Sequence, residues 1–281
     1  MSQGLKANLP MTDRQRPIGI FDSGIGGLTV LKEIFDKLPD ENTIYLGDTA
    51  RVPYGNRSPE TVTRYSFENT RFLSSKSVKI LVIACNTASS ISLNDVRKSF
   101  SVPVVGVIEP GAKAAVAASK KKRIGVIGTE ATVKSGSYTR AIQTIDPSID
   151  VFGISCPLFV PLVEEGWTDG QITEMVADRY LADMREKDID ALVLGCTHYP
   201  LLKHVLSKLM GSGVTLIDSA IETAYEIRAV LDAQGLTNIS GQPVRHEFYV
   251  TDSPQKFLSV GERFLGRTIE NIEKIQLEME V

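Results

Sequence analysis

Cys85 and Cys196 lie in matching frames, ILVIACNTAS (residues 80–89) and ALVLGCTHYP (residues 191–200). In each, a short run rich in Ile, Leu and Val leads straight into a thiol. Polar side chains follow: Asn86 and Thr87 after the first, Thr197 and His198 after the second. Two thiols offered from similar frames suit paired acid–base chemistry. A cysteine at the start of a helix meets free backbone N–H groups and the positive end of the helix dipole, which lower a thiol pKa that is ~8.5 in free cysteine. Each thiol is then expected to serve as a base near neutral pH. His198 is placed to support Cys196 electrostatically or to protonate a nearby group, with a structural hydrogen-bonder as the equal alternative. Cys156, in GISCPLFVPLVEEG, has Pro157 and an apolar run after it and reads as structural. Glu164 and Glu165, which end that run, are minor candidates for a cleft.

Three further segments carry polar groups at turns. FDSGIGG (residues 21–27) reads as a strand ending in Asp22 and Ser23, then a glycine turn and a helix. Its backbone amides can hold an anion, and Asp22 can orient a nearby acid or base, but the spacing is neither a dinucleotide fingerprint nor a P-loop. An ordinary strand-to-helix turn with Asp or Ser as cap is the plainer reading. GDTARVPYGNRS (residues 47–58) is a long polar loop bearing Tyr54 and Gly55, and neither Arg51 nor Arg57 is assigned to a substrate. In GTEATVKSGSY (residues 128–138), Thr129 and Thr132 occupy the place in a second unit that Asp22 and Ser23 hold in the first. Thr132 is read as a donor to a substrate carboxylate, with N-capping as the alternative.

The elements that must position these groups alternate regularly. PIGIFD, TIYLGD, ILVIAC and VPVVGVI read as buried strands, each followed by an amphipathic stretch, and the pattern restarts at RIGVIGTEAT. This predicts an α/β protein of two similar, doubly wound parallel-sheet domains facing each other across a cleft. The strand ends bearing the thiols form the sheet edge where ligands bind. The first domain is placed at residues 17–109 plus 222–281, with the tail strand HEFYVTD packing back on it. The second is placed at residues 110–221, and residues 1–16 read as a disordered leader.

With 281 residues and 42% hydrophobic composition the chain can bury a sizeable core. A formal charge of −3 gives no electrostatic reason to expect nucleic acid or an anionic membrane as a partner. No stretch has the length of a bilayer span and the leader lacks a secretory pattern, so a cytoplasmic location is expected, with three cysteines that stay reduced. Three histidines without a Cys-x-x-Cys or His-Glu-x-x-His spacing argue for no metal site. No motif picks out a lysine for pyridoxal phosphate.

FDSGIGG, RVPYG, ACNTAS and GCTHYP, in this order and at these spacings, resemble the cofactor-independent glutamate racemases of bacteria, over about Ile18 to Tyr225. The resemblance implies two α/β domains related by pseudo-twofold symmetry with glutamate enclosed between them. It makes Cys85 and Cys196 the proton donors and acceptors, the first for D-glutamate and the second for L-glutamate, with Asp22 and His198 supporting them. It places Asp22, Ser23, Tyr54, Gly55, Asn86, Thr87, Thr197 and His198 around the substrate, with Thr132 as an addition. It also implies no cofactor, a homodimer, and a role in supplying D-glutamate for peptidoglycan. An aspartate racemase shares the two-cysteine plan, and a non-catalytic protein that closes on a small anion is the reading from a different class.

Overall fold

The computed structural model describes residues 12–277. The first half runs β1 (Ile18–Asp22), α1 (Leu28–Lys37), β2 (Thr43–Gly47), α2 (Pro59–Ser75), β3 (Ile80–Ile83), α3 (Asn86–Ser99), β4 (Val104–Gly106) and α4 (Ile108–Ala118). The second runs β5 (Arg123–Gly128), α5 (Glu130–Lys134), α6 (Ser137–Ile145), β6 (Asp150–Ser155), α7 (Phe159–Glu164), α8 (Gly170–Arg185), β7 (Ala191–Gly195), α9 (Lys203–Met210), β8 (Thr215–Asp218) and α10 (Ser219–Ala233). A tail adds β9 (His246–Val250), α11 (Pro254–Leu265) and β10 (Ile272–Lys274).

Helices cover both faces of the inner strands, which is why β1, β2, β3 and β7 are buried at every residue and read as apolar runs; the edge strand β4 is buried throughout as well. The strands form two sheets, ordered β10-β9-β2-β1-β3-β4 and β6-β5-β7-β8, and every pairing is parallel. The order β2-β1-β3-β4 repeats as β6-β5-β7-β8, so β5 takes the place of β1 and β7 that of β3. The two-part parallel α/β architecture expected from the strand and helix alternation is therefore present. Register makes the repeat finer. Phe21 lies opposite Ile83 and Gly128 opposite Gly195, which brings Ser23 level with Cys85 and Thr129 level with Cys196.

The tail extends the first sheet, β9 against β2 and β10 against β9, while α11 packs on α1. The divisions drawn at 109/110 and 221/222 fall inside α4 and α10. These helices are shared between the halves: α4 packs on α3 as well as β7 and β8, and α10 packs on α1 and β4 as well as β7. One apolar cluster accordingly runs through both sheets, joining Ile20, Leu28 and Val105 to Phe159, Leu194 and Ile227.

Residues 12–16, read from sequence as part of a disordered leader, are ordered here; residues 1–11 lie outside the described residues. Asp13–Gln15 make a 3-10 turn, Asn42 Nδ2 donates to Gln15 O at 2.7 Å, and Lys79 Nζ donates to Arg14 O at 2.6 Å. Lys79 is itself buried against Glu41, and this pair draws the leader's end, the α1–β2 loop and the segment after α10 to one point at the edge of the first sheet away from the thiols.

Candidate active site

Cys85 caps α3 and Cys196 directly follows β7, so both thiols stand at the carboxyl edge of their sheets. Glycines let the two halves touch here. A Cβ on Gly26 would lie 2.2 Å from Thr197 Oγ1 and 2.5 Å from His198 Nδ1, so the turn before α1 rests directly on the loop that carries the second thiol. Thr29 fastens that contact, its hydroxyl lying 3.0 Å from both Gly26 O and Thr197 O. Across the seam, a Cβ on Gly55 would lie 3.0 Å from Thr129 Cβ.

Between the halves lies a cavity of about 370 Å³. Ser23, Cys85, Asn86 and Thr87 line it from the first half, and Thr129, Glu130, Cys196, Thr197 and His198 from the second. Val52 to Asn56 and the α7 side chains Val160, Pro161 and Glu164 complete the wall together with Pro157. No lysine or arginine is among the lining residues, so anionic groups entering it meet hydroxyls, amides and backbone N–H donors. Asp22 and Thr132, expected at the substrate, do not line the cavity. Each is only 1% exposed and stands behind it.

The thiols differ in their surroundings. Cys85 Sγ lies 3.6 Å from Ser23 Oγ. Burial, with the neighbouring Asp22 charge adding to it, pushes the Cys85 thiol up to about 12. The sequence led us to expect a depressed thiol there. The helix N-terminus does supply a backbone N–H, from Ala88, but desolvation outweighs it. Asp22 is raised as well, chiefly by burial; its Oδ2 accepts from Gly24 N at 2.9 Å, and its Oδ1 has no hydrogen-bond partner among the described residues.

Cys196 has an imidazole beside it, with His198 Nδ1 3.9 Å from Sγ and Nε2 3.3 Å from Glu164 Oε1. Burial disfavours the imidazolium, but the contacts with Cys196 and Glu164 and the charge of Asp22 prevail, and His198 is raised from 6.5 to about 10. Its hydrogen bond holds Glu164 below the usual carboxylate value. His198 thus carries its proton at neutral pH and can present it to the second sulfur. The linkage has a definite sign. A folded-state pKa of about 10 against 6.5 means that the stabilisation from this proton is complete below about 6.5 and fades as pH rises through 10. Cys85, raised from 9.0 to about 12, adds to the same loss at higher pH. Urea denaturation between pH 6.5 and 10 is expected to show falling stability, with a shallower slope in His198→Asn. Equal slopes in the two proteins would contradict a protonated His198.

Tyr54 stands over a buried ionic network. Its hydroxyl donates to Asp48 and accepts from Asn69 Nδ2 at 3.0 Å, while Arg51 Nε lies 2.6 Å from Asp48 Oδ2 and Arg51 also pairs with Glu68. The phenol is therefore committed to the scaffold, although Tyr54 is among the residues lining the cavity. Arg51, left unassigned from sequence, is an anchor of this loop. Thr87, Thr129 and Thr132 form a hydroxyl chain with 2.9 Å links from Thr87 to Thr129 and from Thr129 to Thr132. Thr87 and Thr129 line the cavity, and Thr129 also caps α5 by accepting from Thr132 N at 3.2 Å. Sequence reasoning missed the walls made by Val52, Pro53, Asn56, Glu130, Val160 and Pro161. Glu130 and Val160 flank segments already singled out, Thr129 and Cys156, and that adjacency was the available signal.

A sequence model of the family described as Asp/Glu/Hydantoin racemase matches residues 20–227. A glutamate racemase from Geobacter metallireducens is 52% identical over 265 residues, which cover 94% of this chain and 98% of that one. Among solved structures, the glutamate racemase isoform RacE1 from Bacillus anthracis superposes with a TM-score of 0.91 at 40% identity, covering 94% of this chain and 98% of that one. A glutamate racemase from Francisella tularensis, solved in complex with D-glutamate, gives a TM-score of 0.89 at 40% identity, covering 94% of this chain and 99% of that one.

Proposed function

The chain belongs to the Asp/Glu/hydantoin racemase family and is a glutamate racemase, an isomerase, and from that premise we propose a two-base proton transfer at Cα between Cys85 and Cys196. The observation that carries this reading is the placement of two thiols at topologically equivalent strand ends on one cavity. Inverting a carbon requires that a proton leave one face and another arrive at the opposite face, so two acid–base groups must flank it. In the reading proposed here, Cys196 takes the proton of L-glutamate while Cys85 delivers its own to the other face, and the roles reverse for D-glutamate. A neutral Cys85 thiol in the empty protein matches the state required to begin from L-glutamate.

The α-proton is feebly acidic, so the developing carbanion needs donors aimed at the carboxylate. Ser23, Asn86, Thr87 and Thr197 supply them in this proposal, with the backbone amides at the start of α3. Asp22 stands behind Cys85 and His198 beside Cys196 as positioning groups, each tuning its neighbour. We further propose that the reaction uses no cofactor, that the protein acts as a homodimer, and that it supplies D-glutamate for peptidoglycan in the cytoplasm. Among the described residues no helix is long and apolar enough to cross a membrane.

Circular dichroism tests the activity. Either glutamate enantiomer is expected to decay to the racemate, before and after dialysis against a chelator and a carbonyl-trapping reagent. Aspartate, one methylene shorter, should be turned over ~10–200-fold less efficiently. Preferential turnover of aspartate would support the rival racemase, and binding of glutamate without inversion would support the non-catalytic reading.

A further inference from the structure

We propose that Tyr138 is a positioning residue for catalysis, a phenol from the second half that fixes the amide of Asn86 in the first half so that its N–H₂ faces the substrate. This inference rests on the active-site reading above. Asn86 is 2% exposed, lines the cavity, and its Nδ2 has no hydrogen-bond partner among the described residues. A buried amide donor without a partner costs roughly 1–3 kcal/mol, so its retention beside Cys85 points to a group that arrives from outside. Its other end is committed, since the Tyr138 hydroxyl donates to Asn86 Oδ1 at 2.7 Å.

The phenol has one hydrogen to give, and the acceptor the structure sets before it is Asn86 Oδ1. Ser219, at the start of α10, stands near the phenol across Gly111, where an added Cβ would lie 3.1 Å from Ser219 Cβ. A flipped amide would set Nδ2 against the phenol and turn its carbonyl oxygen toward an incoming carboxylate, an acceptor facing an anion. Tyr138 is itself gripped by glycines. A Cβ on Gly195 would lie 3.1 Å from its Cε2, and one on Gly111 would lie 3.3 Å from its hydroxyl. Gly111 belongs to α4 and Ser219 to α10, the two helices shared between the halves, so the phenol links that junction to the substrate donor.

Tyr138→Phe keeps the ring and removes the selection. It is expected to lower kcat/KM for glutamate about tenfold, mostly through KM, as loss of one hydrogen bond to a charged group does. Asn86→Ala should show a loss at least as large, and Tyr138→Phe added to Asn86→Ala should bring no further loss, because the phenol acts only through that amide. A melting curve that matches the parent's guards against a folding defect in the phenylalanine variant. Additive losses in the double variant, or an unchanged KM in Tyr138→Phe, would overturn the proposal. Failure of the two-thiol reading would look different, as full activity in a cysteine variant.

Discussion

Replacing Cys85 or Cys196 by alanine is expected to lower racemisation by at least ~10³-fold in both directions, while Cys156→Ala stays within a few-fold of the parent. A positioned general base or acid contributes typically 10²–10⁴-fold, and here inversion needs one on each face, so neither thiol substitutes for the other. The contrast with Cys156 is what gives the experiment its force, because all three cysteines are buried and composition does not separate them. Cys156 does not line the cavity, and its sulfur lies 3.8 Å from Ile154 O. Its loss should cost stability of about 1 kcal/mol, the common size for a single substitution, and little rate. Initial rates followed by circular dichroism from both enantiomers, with melting curves as folding controls, provide the check. Appreciable racemisation by Cys85→Ala would end the two-base account.

The second large effect is on stability. The side chains of Lys79 and Glu41 are 1% and 2% exposed, and the ammonium is surrounded by Glu41, Arg14 O and Leu236 O, while Glu41 Oε1 accepts from Asn238 N at 2.8 Å. Burial lowers the Lys79 pKa, yet the carboxylate and the carbonyls hold the charged pair in place. Lys79→Met leaves the buried Glu41 carboxyl without its partner, a change expected to destabilise by ~3–5 kcal/mol. Adding Glu41→Leu should recover part of the loss, since removing both charges removes the desolvation penalty as well. Urea unfolding of the two variants measures both quantities. The active site lies at the other edge of the sheet, so kcat/KM of the folded variants should match the parent. A Lys79→Met variant as stable as the parent would show that the clasp adds nothing to the fold.

Much of this was legible in the sequence, for physical reasons that also set the limits. The central strands are covered on both faces, so PIGIFD, ILVIAC and ALVLG carry unbroken apolar runs, and the thiols stand where those runs end. The edge strand β6 is exposed or half-buried at every position, and β10 is the three residues Ile272–Lys274. Neither carries a pattern that separates it from a loop. The divisions drawn at 109/110 and 221/222 fall within α4 and α10, which each pack on both halves, a tertiary fact without a local signature. At the site, position was easier to read than protonation. The sequence places Cys85 at a helix start and so suggests a low pKa, but the balance turns on burial and on Asp22, 63 residues earlier in the chain. Asp22 and Thr132 were found as polar groups at strand ends; that they stand behind the cavity wall follows from side-chain direction in the folded sheet.

The central claim is that one thiol takes the α-proton and the other delivers a different one. The most direct measurement is the reaction of L-glutamate in heavy water, stopped at low conversion, with mass analysis of the separated enantiomers, and then the same from D-glutamate. Two bases on opposite faces predict product deuterated at Cα from the first turnover and recovered substrate still carrying its original proton, in both directions. Product that retains the substrate's proton, or recovered substrate that gains deuterium as fast as product forms, would contradict it.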